Sequence, residues 1–293
     1  MSAFVAPRSV LVAFHPSLAR AGELATGMAA QAVAAGVSAQ VMPLAEPSEH
    51  DGEAFLSRLR GCGLLVCVGG DGTMLHASAY ASREGTPVFG VRMGRLGFLT
   101  ESVEANVTAD FARVLAGDAR LETRAMVQVQ TGESEPLHAL NDIVIGRATL
   151  GRTISVEARI DGVLLAEYRA DAIVVATATG STGYALSVGG PILHPSSGEM
   201  ILVPVAPHLT RANALVLPGS ARLRLSVERG YEAVLGVDGL HHRPVGSGSV
   251  VEITRSPRTV DFVRLGPETE FYQNLAVRLG WLRLDHVLDE PSP

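Results

Sequence analysis

Two hydrophobic periodicities divide the chain near residue 121. Before that point, short apolar runs typical of buried strands alternate with longer segments whose apolar positions recur at helical spacing. This alternation predicts an α/β domain with a mostly parallel sheet and helices on both faces. The predicted strands are Ser9–His15, Ser38–Pro43, a run from Leu64 and Thr86–Val91, and the predicted helices are Ser17–Ala35, Glu53–Leu59, a segment after Thr73 and Val103–Ala116.

After residue 121, helical spacing largely disappears and short β-branched runs recur between glycine, proline and aspartate residues. Such spacing predicts a β-rich domain of sandwich or prism type, followed by a C-terminal helix at Phe271–Leu279. We therefore expect an α/β domain at 1–121, a β-rich domain at 122–266, and a helical tail at 267–293 that packs back on the first domain. The predicted strands are Val127–Thr131, Asp142–Ile145, Thr153–Ile160, Ala172–Thr177, Met200–Val203, Ala214–Leu217, Arg222–Val227, Glu232–Val237 and Ser249–Thr254.

The clearest chemical signal is a glycine-rich turn, Gly69–Thr73, after the buried strand that begins at Leu64. A helix follows from Met74, with Thr73 placed as its N-cap. Bare backbone amides and a helix N-terminus together form an anion site, so the turn indicates phosphate binding. A carboxylate at Asp71 is costly beside phosphate unless it binds a metal or accepts a proton from an attacking hydroxyl, which predicts a phosphotransferase. Alternatively, the turn serves only tight packing and Asp71 is a capping residue.

Two further segments carry polar chemistry with open alternatives. The loop Gly94–Thr100 could line the phosphate site, or it could only seat Leu96 and Phe98 in the core. The segment from Thr179 is dense in glycine and hydroxyl groups, which can bind the edge of a flat heterocycle while Tyr184 stacks on its face. Alternatively, it is an irregular turn with Tyr184 as a core aromatic.

Composition limits the classes of function. The chain has 293 residues, 47% hydrophobic and 18% charged, with a net charge of −6. That charge argues against nucleic-acid binding, although a nucleotide substrate stays compatible with it. We expect no disulfide framework from two cysteines and see no metal-ligand spacing among nine histidines. With no signal peptide and no apolar run of about 18 residues, we expect a cytoplasmic protein without a membrane span.

Taken together, these segments resemble the NAD kinase family. The first shared motif also occurs in lipid kinases and phosphofructokinases, whereas the block at 179–192 is specific. The shared motifs are Gly69–Thr73, Gly94–Thr100, Asn141-Asp142, Arg169-Ala170-Asp171, the 179–192 block and Pro207-His208.

The resemblance implies transfer of a phosphoryl group to the adenosine ribose 2′-hydroxyl of NAD, giving NADP. The donor would be ATP with a divalent metal, expected to be magnesium, or polyphosphate. Family members are commonly homodimers or homotetramers. The alternatives are a diacylglycerol-type lipid kinase and a non-catalytic dinucleotide sensor.

The resemblance also implies roles for individual residues, and it assigns no metal ligand. Asp71 would be the general base, Asn141 and Asp142 would hold the adenosine, and Asp171 would bind the nicotinamide side. This chain has Asp142 where glutamate is usual and Gly183 where alanine is usual, which affects fine specificity. The other implied residues are Gly69, Gly70 and Thr73 in the phosphate loop, Gly72 and His76 on the substrate, Arg152 and Arg169 at phosphates or ribose, and Thr182, Gly183, Tyr184, Ala185, Leu186 and Ser187 as the wall of the dinucleotide site.

Overall fold

The computed structural model describes residues 4–44, 49–94, 97–149, 151–208 and 213–281. Its first half contains a parallel sheet in the order β2-β1-β3-β4. The strands are β1 (Ser9–Phe14), β2 (Ser38–Pro43), β3 (Leu64–Gly69), β4 (Val88–Arg92) and the short β5 (Ser102–Val103), and the helices are α1 (Ala21–Ala34), α2 (Glu49–Leu59), α3 (Asp71–Glu84) and α4 (Val107–Leu115).

Helices cover both faces of this parallel sheet because successive strand residues point to opposite sides. Val66 on one face packs in a cluster with Phe111 of α4, whereas Leu65 on the other packs with Leu59 of α2 and Met74 of α3. Burial on both faces explains why β3 is a continuous apolar run without alternation.

The second half is an antiparallel β-sandwich with a C-terminal helix. Its six-stranded sheet has the order β13-β12-β11-β8-β15-β16 and packs on strands β9, β14 and β17 of the other sheet through one aliphatic core. The elements are β6 (Arg120–Thr131), β7 (Leu137–Ala139), β8 (Asp142–Arg147), β9 (Ile154–Ile160), β10 (Val163–Ala170), β11 (Ala172–Thr177), a 3₁₀ turn (Gly180–Thr182), α5 (Tyr184–Ser187), β12 (Met200–Val205), β13 (Leu215–Leu217), β14 (Leu223–Val227), β15 (Ala233–Val237), β16 (His241–Val245), β17 (Val250–Arg264) and α6 (Glu270–Arg278).

One long strand joins the two halves. β17 pairs antiparallel with β14 and β6, and at Phe262 it pairs parallel with Val88 of β4. The parallel sheet and half of the sandwich are therefore parts of one 11-stranded sheet. This continuity fixes the glycine-rich turn of the first half relative to the β-rich half.

The predicted fold class is confirmed: an α/β part with a parallel sheet, a β-rich part and a C-terminal helix. The domain boundaries at 121/122 and 266/267 stay a prediction. Thr73 as N-cap is wrong, because Gly70 is the N-cap and α3 already begins at Asp71. None of the helices in the described part of the chain is long and apolar enough to cross a membrane.

Candidate active site

The glycine-rich turn lies at the carboxyl edge of the parallel sheet, where α/β folds bind ligands. Gly70 is extended, with φ −102° and ψ −174°, and its carbonyl accepts the Met74 N–H at 3.0 Å. Thr73 therefore sits inside the first turn of α3, and its side chain folds back onto Gly69. A Cβ on Gly69 would lie 2.6 Å from the Cβ of Thr73, so only glycine fits there.

The two other glycines of this turn face open space. A Cβ on Gly70 or Gly72 would meet no atom within 4 Å. Because the first N–H groups of a helix have no acceptor within the helix, the amides at the start of α3 are placed to bind a phosphate approaching the sheet edge. Arg92, the last residue of β4, pairs in register with Gly69 and brings a cation to the same edge. Arg92 is not among the residues predicted from the sequence, although its position at the end of the fourth strand, beside the turn, could have indicated it.

The Asp71 carboxylate is held by main-chain donors from another loop. Its Oδ2 accepts the Phe98 N–H at 2.9 Å, and its Oδ1 accepts the Leu99 N–H at 3.3 Å. Gly97 makes room for it, since a Cβ there would lie 2.6 Å from the Asp71 Cγ. The side chain stays 30% exposed, so a ligand can reach it. Asp71 is thus oriented by two N–H groups while its carboxylate stays open to solvent.

The C-terminal helix also reaches this carboxylate. Nη1 of Arg278, in the last turn of α6, lies 3.6 Å from Oδ2 of Asp71. The same guanidinium lies 3.9 Å from the centroid of the Phe98 ring. Phe98 is therefore a half-buried platform and not a core residue. Arg95 and Leu96, which were part of the loop hypothesis, lie outside the described residues.

The predicted adenosine segment, Asn141-Asp142, is held by hydrogen bonds to the end of β11, just before the glycine- and hydroxyl-rich segment that begins at Thr179. The Thr177 N–H donates to the Asn141 carbonyl at 2.9 Å, and Thr177 Oγ1 donates to the Leu140 carbonyl at 2.5 Å. Gly180 is needed here, because a Cβ would lie 2.5 Å from the carbonyl carbon of Asn141. At Gly183, a Cβ would lie 3.8 Å from Asn141 Nδ2. Asn141 is therefore placed beside the turn that leads into α5.

The predicted wall of the site is mostly accessible. Tyr184 is 43% exposed, so the core-aromatic alternative is wrong and its ring face is available for stacking. Gly183 and Ser187 are exposed, Thr182 and Leu186 are half-buried, and Ala185 is buried. Ser181, which the sequence analysis did not choose as a site residue, is buried and donates to the Ala178 carbonyl at 2.6 Å.

Packing and electrostatics relate the helix that begins at Asp71 to the strands around the adenosine segment. Leu140, next to Asn141, is buried in the same hydrophobic cluster as Met74 and Leu99. His76 of α3 is near enough to His241 of β16 for the two imidazoles to interact electrostatically. The Asp71 turn and Asn141 therefore belong to the same side of the molecule.

A buried ion-pair network links Thr179 to the Asp71 cradle, which is the loop Gly97–Leu99 whose N–H groups hold the Asp71 carboxylate. Arg124 donates to Glu122 Oε1 and to Thr179 Oγ1, the latter at 3.2 Å. Arg264 donates to the same Glu122 oxygen at 3.1 Å and to the Leu99 carbonyl at 3.3 Å. Burial opposes ionisation of Glu122, but the two arginines lower its pKa to about 2. The network therefore keeps its charges and fixes both sides of the site.

Burial shifts the pKa values of three further groups near the site. Desolvation and then Asp238 raise the pKa of Asp142 to about 7. Desolvation raises the pKa of Asp238 to about 6, although it accepts the N–H groups of Leu140, Asn141 and Asp142 at 2.7, 2.7 and 3.0 Å. Desolvation and then His241 lower the pKa of His76 to about 4, so His76 is a neutral imidazole at neutral pH. Asp238 is therefore a positioning residue, whereas the sequence around it indicates only a hairpin turn.

The remaining predicted residues lie at the other end of the six-stranded sheet. Asp171 pairs with Arg147 at 2.5 Å, and Arg169 Nε donates to Thr153 Oγ1 at 3.2 Å. A cavity of about 860 Å³ is lined in part by Arg147, Arg152 and Arg169. β11 separates this end from Thr177 by about 20 Å at 3.3 Å per residue. Within one chain, Arg152, Arg169 and Asp171 are therefore not brought together with Asp71.

No preformed metal site is present in the part of the chain that the structure describes. It contains no group of three or more His, Cys, Asp or Glu side chains that could hold a metal ion. Any metal held at Asp71 would therefore be bound by ligands other than a group of such side chains from this part of the chain.

Comparisons with known proteins match both halves of the chain. The models for the ATP-NAD kinase N-terminal and C-terminal domains match residues 23–119 and 140–265. An NAD kinase of Dehalococcoides mccartyi is 31% identical over 277 residues, 93% of this chain and 96% of that protein. An NAD kinase of Chloroflexus aurantiacus is 38% identical over 222 residues, 74% of this chain and 80% of that protein.

Solved structures show the same fold. Yeast NADH kinase complexed with NADH matches with a TM-score of 0.83 at 24% identity, over 94% of this chain and 89% of that one. An NAD kinase from Archaeoglobus fulgidus in complex with ATP matches with a TM-score of 0.74 at 25% identity, over 94% of this chain and all of that one.

Proposed function

The chain belongs to the NAD kinase family, and from that premise we propose how its own residues carry out the transfer of a phosphoryl group to NAD. The single observation that carries the proposal is the open Asp71 carboxylate, oriented by two backbone N–H groups beside the bare amides of Gly70 and Gly72. A base and a phosphate-binding turn are the two parts that phosphorylation of a hydroxyl requires.

In the proposed step, Asp71 accepts the proton of the adenosine ribose 2′-hydroxyl. The 2′-oxygen forms a bond to the γ-phosphorus of ATP while the bond from that phosphorus to the β,γ-bridging oxygen breaks. NADP and ADP are the products. The open amides of Gly70 and Gly72, with Arg92 at the same edge, bind donor phosphates, which supplies the positioning on which phosphoryl transfer depends.

We propose that the adenosine half of NAD lies between the Asp71 turn and the wall at Thr182–Ser187. Asn141 offers its amide, and Asp142 offers a carboxyl group that is partly protonated at neutral pH because its pKa is about 7. The exposed ring of Tyr184 supplies a stacking face for a flat base. His76, kept neutral by burial, can donate or accept a hydrogen bond but adds no charge.

The residues of the glycine-rich turn fit a magnesium ion that is already bound to the phosphates of the donor. Magnesium usually binds through one or two carboxylates together with substrate phosphates and water. Asp71 is one accessible carboxylate beside open amides, which suits that arrangement better than a cage built by the protein alone. When bound, the ion neutralises charge on the phosphates. Use of polyphosphate in place of ATP remains part of the proposal.

We also propose a cytoplasmic homodimer or homotetramer. Arg152, Arg169 and Asp171 lie at the opposite end of the six-stranded sheet from Thr182–Ser187, so they cannot contact the same dinucleotide from one chain. In an assembly, one copy could place Arg152, Arg169 and Asp171 beside the wall at Thr182–Ser187 of another copy. Both groups of residues would then contact the same dinucleotide. Sedimentation velocity would test it, and a monomer at assay concentration would refute it.

The function is tested by measuring NADP formation from NAD with ATP or polyphosphate, with and without Mg²⁺. We expect magnesium-dependent NADP formation with ATP. Phosphorylation of diacylglycerol without phosphorylation of NAD would favour the lipid-kinase alternative. Tight NAD binding without turnover on any donor or metal would favour the non-catalytic sensor.

A further inference from the structure

The C-terminal helix α6 lies across the candidate active site and is used by none of the roles proposed so far. At its start, the Phe271 ring packs edge-on against His194 with centroids 5.1 Å apart. The backbone N–H of Leu193, next to His194, donates to Oγ of Ser181, the residue directly before the wall at Thr182–Ser187. At its end, Arg278 reaches Asp71. α6 therefore connects the wall segment to the carboxylate proposed as the base.

We infer that Arg278 is a binding residue for the phosphoryl group that is transferred. The inference rests on the proposed function, because it needs the donor to react beside Asp71. The reaction must bring an anionic phosphoryl group close to an anionic carboxylate, and the two repel each other. A cation that lies within reach of both offsets this repulsion, and Nη1 of Arg278 lies 3.6 Å from Asp71 Oδ2.

The contact with Asp71 leaves the guanidinium free to bind a second anion. A separation of 3.6 Å is longer than a good hydrogen bond, so the pair is not a closed bidentate one. Arg278 is 32% exposed on its side chain, which lets a donor reach it. A guanidinium carries five N–H donors in a planar fork that matches phosphate oxygens.

Two features hold the Arg278 guanidinium in place before any ligand arrives. Its carbon lies 3.9 Å from the centroid of Phe98, whose own N–H donates to Asp71. Stacking on an aromatic face fixes the plane of the guanidinium. Arg278 is also in the last turn of α6, where the helix dipole favours a cation. Base and cation are therefore positioned by the same residue, Phe98.

The experiment compares Arg278→Met, which keeps an apolar stem on Phe98, with Arg278→Lys, which keeps the charge. The matched control is Arg20→Gln, which removes an exposed pair with Glu104. Binding of NAD and of a non-hydrolysable ATP analogue with Mg²⁺ is measured by calorimetry, together with KM, kcat and thermal unfolding.

We expect Arg278→Met to weaken analogue binding about tenfold and to lower kcat on the order of 100-fold, with unchanged NAD affinity. Arg278→Lys should recover part of both losses, and Arg20→Gln should match the wild type. Unchanged analogue binding in Arg278→Met would overturn the inference, as would equal loss of NAD and analogue binding with a lowered melting temperature. Binding of the ATP analogue requires no turnover. An inactive wild type would therefore contradict the proposed function, whereas analogue binding by the wild type and the Arg278 variants could still be compared.

Discussion

Gly97→Ala tests the geometry that holds the proposed base. The new Cβ would lie 2.6 Å from the Asp71 Cγ, whereas two carbon atoms prefer about 3.5–4.0 Å. The carboxylate must therefore move by about 1 Å, and a displacement of that size near the chemistry can cost about 100-fold in rate. The hydrogen bonds from Phe98 and Leu99 would stretch or break, which we expect to cost about 1–3 kcal/mol of unfolding free energy on this half-exposed group.

The assay measures steady-state NADP formation and urea unfolding of Gly97→Ala beside a matched glycine control. Gly27 lies on the exposed side of α1, and a Cβ there would meet no atom within 4 Å. Gly27→Ala should keep the wild-type kcat and gain about 0.5–1 kcal/mol, as expected for alanine in a helix interior. A Gly97→Ala protein with wild-type kcat would refute the claim that Asp71 needs this cradle.

Three further substitutions probe the electrostatics and the wall of the site. Glu122→Gln removes the negative charge shared by two buried arginines, which leaves their charges uncompensated, and should cost about 3–5 kcal/mol in urea unfolding. Because the folded pKa of Glu122 is about 2, its contribution to stability is present above pH ~4.5 and is lost as pH decreases toward 2. The Glu122→Gln variant should lack this loss of stability. Because the folded pKa of Asp142 is raised to about 7, its own contribution to stability falls as pH rises from about 4 to 7. The stability of Asp142→Asn relative to wild type should therefore rise over that window, and a constant difference would contradict the assignment. Tyr184→Ala should raise the KM for NAD about tenfold, whereas Tyr184→Phe should keep the wild-type KM. A wild-type KM in Tyr184→Ala would argue against stacking.

The sequence predicted the fold best where burial produces a clear pattern. The all-buried β3 and the regular alternation of strands and helices were sufficient to identify the parallel sheet. β10 was missed because its first residues are exposed and apolar without alternation. An Asp161-Gly162 turn with positive φ at both residues precedes β10 and could have indicated a hairpin. β17 was predicted only to Thr254, because Pro257 interrupts the run, whereas a shift in register with β6 between Arg255 and Thr259 accommodates it.

The site was predictable where a motif is local and not where distant segments meet. Composition and position after buried strands indicated Gly69–Thr73 and the segment from Thr179 as candidates, whereas the role of Thr182–Ser187 as a wall came from the family resemblance and stays a prediction. Arg278 could not be found that way, because it reaches Asp71 from more than 200 residues away along the chain. The capping error at Thr73 arose because an extended Gly70 can start a helix without a side-chain cap. Asp238 was underestimated because a turn motif does not show that its carboxylate accepts three N–H groups.

The role of Asp71 as the base is tested most directly by the rate of NADP formation by Asp71→Asn. The substitution is nearly isosteric and keeps an oxygen that can accept one of the two backbone N–H groups, so folding should be retained. We predict a kcat lower by about 10²–10⁴-fold, the usual contribution of a general base, with near-normal affinity for NAD. A wild-type kcat in Asp71→Asn would contradict the assignment of Asp71 as the base.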